Sequence, residues 1–255
     1  MTKGWQEWAK YRLGIQKGCY RGCKYCFGMK EALRFKRIKK HEDWIIVTER
    51  KTIENPDKKY NGLIGFPNTH DITLENYSEC EEYLLRLLKA GNQVLIVTKP
   101  DYHIIELLIS ALQDYKDQVE FRLTIGSYDD SVLKKFEPRA SNYQERYDCL
   151  RLLFMNGFKT SVSIEPYLSR DIIGLIRRIY VYVTGDIWIG IMNHFNFLVN
   201  YYPELLDLKQ LFSKETVQAI YQEIQEYFTS YDGLLERIKF KDTFRKIAGV
   251  EKNSS

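Results

Sequence analysis

The segment Gly18-Cys19-Tyr20-Arg21-Gly22-Cys23-Lys24-Tyr25-Cys26-Phe27-Gly28 places three cysteines within eight residues, spaced C-x3-C-x2-C. Clustered thiols in a reducing compartment act as metal ligands or catalytic groups. Three on one short loop can wrap a single metal centre, and Gly18 and Gly22 let the backbone turn without Cβ clashes. A structural zinc site takes four protein ligands, and no fourth Cys or His lies nearby; His41 is fifteen residues beyond Cys26. Three cysteines on a four-iron cluster would instead leave one iron with an open position, able to bind substrate or cofactor directly. A small zinc or redox knuckle is the competing reading. Cys80 and Cys149 stand alone in helical patterns and are expected to be buried thiols without chemistry.

Short β-like runs alternate with helical patterns along the chain. The strand candidates are 11–16, 62–66, 94–98, 119–125, 160–165 and 186–190, several continuously apolar, as expected of strands buried on both faces. Between them lie amphipathic helices. In 76–90 the stripe is Tyr77, Cys80, Leu84, Leu87 and Leu88. In 101–115 it is Ile104, Ile105, Leu108, Ile109 and Leu112, with Asp101 as N-cap. In 142–156 it is Tyr143, Tyr147, Leu150 and Phe154. A poorer pattern covers 170–182, and a last helix starts near Ser213. Strand–helix alternation predicts an α/β fold with a parallel sheet, whose ligands bind at the C-terminal ends of the strands. Six strands are two short of a closed eight-fold barrel, so an open, partial (βα)6 TIM-like barrel is expected. The residues that follow each strand are then the site candidates. They are the cysteine loop, Thr69-His70-Asp71, Lys99, Ser127, Glu165 and Asn193-His194.

Composition is ordinary for a globular chain, 44% hydrophobic and 28% charged, which excludes a disordered or fibrous protein. No run approaches the ~20 apolar residues of a membrane span, and the N-terminus has no apolar signal region, so the cytoplasm is the expected location. The net charge of +4 hides an asymmetry: residues 1–40 hold twelve Lys/Arg and two acids, and the rest of the chain is net negative. Positive charge therefore surrounds the cysteines and suits thiolates, an anionic cofactor or an acidic partner.

The C-x3-C-x2-C loop after a first strand, with an aromatic, Tyr25, before the third Cys, resembles that of the radical S-adenosylmethionine (SAM) enzymes. Further stretches, Thr69-His70-Asp71, Leu95 to Lys99, Glu137-Pro138-Arg139-Ala140, Glu145-Arg146 and Trp188 to Asn193, resemble the branch that contains the spore photoproduct lyases. The resemblance spans about residues 10–196. It implies a [4Fe–4S] cluster on Cys19, Cys23 and Cys26, with SAM on the fourth iron. Reductive cleavage of SAM would give a 5′-deoxyadenosyl radical that abstracts hydrogen from a substrate. It also implies cofactor contacts. Thr69 and Asp71 would hold the SAM ammonium, with His70 beside them as a proton carrier or a structural imidazole. Lys99 would pair with the SAM carboxylate. Thr124 and Ser127 would meet the ribose, unless they only serve the turn. Arg146 would reach inward or form an ion pair with Glu137, and Ile189 would offer a wall and backbone groups to adenine. One departure stands out: photoproduct lyases carry a hydrogen-donating cysteine near the second strand, and here Phe66-Pro67-Asn68-Thr69 has none. The reaction would then have to end otherwise, by oxidation, rearrangement, fragmentation or transfer from a tyrosine such as Tyr25, Tyr128 or Tyr167.

The expected organisation is a barrel core over residues 1–196 with a helical extension over 197–255. Partners implied are an acidic electron donor of flavodoxin or ferredoxin type, and a nucleic-acid or phosphate-bearing substrate at the basic N-terminal face. The alternative function is a nucleic-acid- or protein-binding module that keeps the cluster only structurally.

Overall fold

A computed structural model describes residues 4–50 and 53–250. Seven parallel strands form one sheet in chain order: β1 (Tyr11–Arg12), β2 (Ile64–Phe66), β3 (Val94–Thr98), β4 (Val119–Thr124), β5 (Lys159–Ile164), β6 (Ile187–Ile189) and β7 (Ile238–Phe240). The sheet curls into an open half-barrel. Helices fill the crossovers: α1 (Phe27–Arg34) after β1, α2 (Tyr77–Lys89), α3 (Tyr102–Leu112), α4 (Asp130–Phe136) and α5 (Tyr143–Met155), α6 (Ile172–Ile179), and α7 (Lys214–Phe228) before β7. A short α8 (Asp242–Ala248) follows. The α/β partial barrel is thus the architecture, with one strand more than the six expected. No helix among the described residues is long and apolar enough to cross a membrane.

Caps and stripes explain the helices. Asp101 accepts from the Ile104 N–H at 3.4 Å, Asn142 from Glu145 at 2.8 Å and Ser213 from Thr216 at 3.2 Å, each satisfying a donor that the first turn leaves open. On α2, Cys80, Leu84, Leu87 and Leu88 are buried as the periodicity predicts. On α5 the buried set is Arg146, Cys149, Leu150 and Leu153, while Phe154 is exposed. The expected α5 stripe is therefore rotated, because a buried arginine occupies a place that a hydrophobic count cannot award it. Outward-facing strand residues such as Ile96, Phe121, Val162 and Ile187 pack with α2, α3, α5 and α6 in the main core, each fully buried side chain contributing about 1.5–3 kcal/mol.

Two differences bear on the site. The first strand is shorter than 11–16. Leu13 still bonds Gly65 O at 3.0 Å, but the chain then leaves the sheet at Gly14, where a Cβ would crowd Asn68 N and His70 Nε2 at 3.3 Å. Gln16–Lys17 pair instead with Thr48–Glu49 in an antiparallel ribbon that leads into the cysteine loop. The C-terminal part is also more than helical: β7 extends the barrel wall beyond β6. A second apolar cluster lies beyond the strand ends, where Cys19, Met29, Trp44, Phe136, Leu168, Met192, Leu198 and Leu208 join the cysteine loop to residues 192–208.

Candidate active site

The cysteine loop sits on the C-terminal side of β1. Gly18 has φ +86°, and a Cβ there would lie 2.7 Å from the Ile46 carbonyl, so the close approach requires glycine. Cys19 N donates to Trp44 O at 2.9 Å, Lys24 N to Phe136 O at 3.0 Å and Cys26 N to Cys23 O at 3.1 Å. Cys26 is the N-cap of α1, its Sγ accepting from Met29 N at 3.5 Å. Cys19 and Cys23 are buried. Burial, with nearby Asp71, pushes the Cys19 thiol up to about 12, and burial pushes Cys23 to about 12; Cys26 moves the same way. Metal coordination is the condition under which such thiols ionise. Three sulfur donors on a glycine-permitted turn, with no fourth Cys or His near them in sequence among the described residues, fit a cluster with one open iron. Cys80 and Cys149 are fully buried in the main core, as expected of inert thiols.

Asp71, at the end of the β2 segment, is a junction. Its Oδ2 accepts from Arg21 Nε and Lys99 N, both at 3.1 Å; its Oδ1 accepts from Ile72 N at 2.9 Å and from the Thr98 hydroxyl. Arg21, only 7% exposed, also donates to Lys99 O at 2.9 Å and Arg139 O at 3.2 Å. One guanidinium therefore clamps the cysteine loop to the ends of β2 and β3. His70 is the structural imidazole: Nε2 accepts from Ile15 N at 3.2 Å and Nδ1 faces Asp71 O at 3.1 Å. Burial lowers its pKa to about 4, which keeps it neutral, so it is not placed as a proton carrier. Thr69 is half-buried. The Lys99 ammonium lies 5.5 Å from the Tyr25 ring centroid. Its charge lowers all three thiol pKa values against burial, and it forms no ion pair among the described residues.

A second network fixes the other side of the loop. The Tyr25 hydroxyl donates to Glu137, whose other oxygen meets Arg146 in a fully buried pair. Arg146 also donates to Thr124 O at 3.1 Å and Ser141 O at 2.8 Å. Arg146 is thus the buried ion-pair partner of Glu137, and its donors serve protein carbonyls. Ser127 Oγ accepts from Asp129 N at 3.0 Å, the turn role. Ile189 is fully buried inside the sheet and its carbonyl accepts from Lys241 N at 2.9 Å, so the seventh strand uses the backbone group expected to face adenine. Asn193 donates to Glu165 Oε1 at 3.2 Å, and His194 stacks on Phe27 with centroids 5.8 Å apart. Of the three tyrosines considered as donors, Tyr128 bonds Asp171 at the surface and Tyr167 bonds Leu211 O; Tyr25 alone belongs to the cysteine loop. Sequence spacing left Arg21 out of the site and missed Tyr202, whose ring is within electrostatic reach of Cys26 and Cys23. Glu-Arg pairing near a motif was the only signal for Glu137.

A parallel half-barrel whose first strand end carries three clustered thiols, two of them buried, beside a lysine with no ion pair among the described residues fits an iron–sulfur enzyme class that activates a small cofactor. The family model described as the Radical SAM superfamily matches residues 13–170, more than half of the chain, and the chain belongs to that superfamily. Its members use a [4Fe–4S] cluster and SAM. An uncharacterized protein of Methanocaldococcus jannaschii is 26% identical over 237 residues, covering 91% of this chain and 82% of the relative. An uncharacterized protein of Acidianus two-tailed virus is 26% identical over 178 residues, covering 65% of this chain and 56% of its own. Among solved structures, SuiB of Streptococcus suis bound to the precursor peptide SuiA aligns with a TM-score of 0.60 at 12% identity. The alignment covers 96% of this chain and 53% of SuiB. A spore photoproduct lyase aligns with 0.52 at 17% identity, covering 91% and 76%. The chain spans only about half of SuiB, and at these identities the two structures share the fold with it.

Proposed function

We propose that this protein is a SAM-cleaving enzyme with Cys19, Cys23 and Cys26 as the three protein ligands of its cluster. When bound, the reduced cluster supplies the electron that cleaves SAM to methionine and a 5′-deoxyadenosyl radical. The observation that carries the proposal is the three-thiol loop, Cys19 and Cys23 buried and Cys26 capping α1, with the Lys99 ammonium beside it. A cation left without a carboxylate partner among the described residues suits the carboxylate of SAM, and the half-buried Thr69, which follows β2, would meet its ammonium. Asp71 serves the site through Arg21 and the β3 end, its four acceptor positions being taken by protein donors. Thr124 offers the ribose a hydroxyl, and Tyr25, held by Glu137, offers a ring to Lys99 and the cofactor.

The exposed cations Arg34, Lys36, Arg37, Lys39 and Lys40 lie at the end of α1 and just beyond it, after the cluster loop. They form the docking face for an acidic electron donor, whose approach they steer. With Cys80 sealed in the core and no cysteine near Asn68, no thiol is at hand to return hydrogen to a product radical. SAM is therefore consumed as a cosubstrate. The test is anaerobic incubation of reduced, reconstituted protein with SAM. Methionine and 5′-deoxyadenosine appear in equal amounts, and Cys19→Ala, Cys23→Ala and Cys26→Ala variants yield neither. Absence of both products in the wild type would refute the proposal.

A further inference from the structure

Strand alternation places a polar group on the concave face of the half-barrel. Phe121 and Leu123 of β4, Val162 and Ile164 of β5, and Ile187 and Ile189 of β6 all join the outer core. Arg122, Ser163 and Trp188 consequently face inward. Register brings them together: Arg122 lies opposite Ser161, and Ser163 opposite both Thr124 and Trp188. Arg122 is held firmly. Its Nε donates to Ser161 Oγ and its Nη2 to Glu120 Oε1, both at 2.9 Å, and its guanidinium lies 5.1 Å from the Trp8 ring and 5.7 Å from the Trp188 ring. Yet Arg122 Nη1, Ser163 Oγ and Trp188 Nε1 are buried with no hydrogen-bond partner, Arg122 being 5% and Ser163 1% exposed. Polar atoms buried without partners are costly, and three on neighbouring strands call for a ligand.

From this juxtaposition we infer a subsite for a substrate carboxylate, formed by Arg122, Ser163 and Trp188. It rests on the SAM-cleaving function proposed above and adds the substrate class. The guanidinium and indole groups are donors only, and the serine hydroxyl donates as well. A carboxylate is acceptor-only and takes all three. The pairing edges of a nucleobase and a primary amide both mix donors with acceptors, so one of their N–H groups would face another. Charge selects further. Arg122, Lys159 and Lys241 are balanced by Glu7, Glu120 and Glu165 through ion pairs. Among the described residues the cations and carboxylates of this cluster are thus equal in number, and a monoanion held on Arg122 Nη1 adds less uncompensated charge than a phosphate dianion would. The subsite lies on strands β4 to β6, below the strand ends, with Arg122 in register with Val97 of the neighbouring β3. It therefore selects an amino-acid or peptide substrate by an acidic side chain or a C-terminus.

Calorimetry on the anaerobically reconstituted protein with SAM tests this. The probes are N-acetylglutamate α-amide, whose side-chain carboxylate is its only charge, its isostere N-acetylglutamine α-amide, and thymidine monophosphate. The expected result is saturable binding of the glutamate derivative, with the glutamine derivative weaker by about tenfold or more. Ser163→Ala and Trp188→Phe should each weaken the glutamate derivative by about tenfold, and Arg122→Lys should do the same without unfolding the protein. Equal binding of acid and amide, preference for thymidine monophosphate, or no binding of the glutamate derivative would overturn the subsite. Release of 5′-deoxyadenosine by the wild type without any probe is scored separately. If release persists while the acid does not bind, the subsite alone fails. If the acid binds and no release occurs, the functional proposal alone fails.

Discussion

Lys99 and Asp71 both stand at strand ends beside the cysteines, yet their surroundings give them different work. Lys99 has an ammonium near the thiols and no carboxylate among the described residues to pair with. Lys99→Ala should retain the cluster and weaken SAM by roughly 10- to 150-fold, the loss of one charge-assisted contact. Titrating SAM against the EPR signal of the reduced cluster measures this; unchanged affinity would remove Lys99 from the cofactor site. Asp71 is saturated by protein donors, among them the buried Arg21. Asp71→Ala leaves that guanidinium buried without its carboxylate, which should cost about 3–5 kcal/mol and lower iron loading as the loop loosens. Urea unfolding reads the first effect and iron analysis the second, and a variant as stable as wild type would show that the clamp is dispensable. The cysteines and Lys99 were legible from spacing and position after a strand. The Arg21–Asp71 and Tyr25–Glu137 contacts were not, because their members are 50 and 112 residues apart and a local pattern holds no record of such pairing.

Among the elements, the departure of the chain from the sheet at Gly14 and its tie to His70 do most to set the cysteine loop over the strand ends. His70 remains neutral in the folded protein because burial depresses its pKa from 6.5 to about 4. The unfolded chain takes up a proton below about pH 6.5, and the folded chain only near pH 4. Stability from this residue is therefore fully present above pH 6.5 and is lost as pH falls towards 4, by at most about 3 kcal/mol. His70→Gln should flatten the fall in unfolding free energy between pH 7 and 4.5, and an equal fall in both proteins would assign it elsewhere. Strands β2 to β6 were readable at the expected places, β3 as an apolar run and β4 by its alternation. The seventh was not, since Ile238-Lys239-Phe240 is too short to display alternation and follows a helical pattern. The Phe154 face of α5 was misread for a related reason. Arg146 is buried by its carbonyl and Glu137 partners, and hydrophobic periodicity assigns any arginine to solvent.

At the scale of the whole molecule, opposed charge organises the surface: a basic collar follows the cluster loop while the remaining chain is net acidic. Reversing Lys36, Arg37 and Lys39 to Glu should slow reduction by an acidic flavodoxin-type donor by about tenfold or more at low ionic strength. The difference should shrink as salt screens the field. Reduction by dithionite should be unaffected, and an unchanged rate with the protein donor would place docking on another face. The charge asymmetry was visible in sequence, but the concave polar face was not, because which residues of a strand turn inward is decided by helices packed on its other side. The central claim is that three thiols of one loop hold an iron–sulfur cluster with a position open to SAM. Iron analysis and EPR of anaerobically reconstituted protein test it most directly. The account predicts about four irons per chain, a reduced-cluster signal that changes when SAM is added, and loss of both in Cys26→Ala. Stoichiometric zinc without iron, or a cluster signal indifferent to SAM, would contradict it.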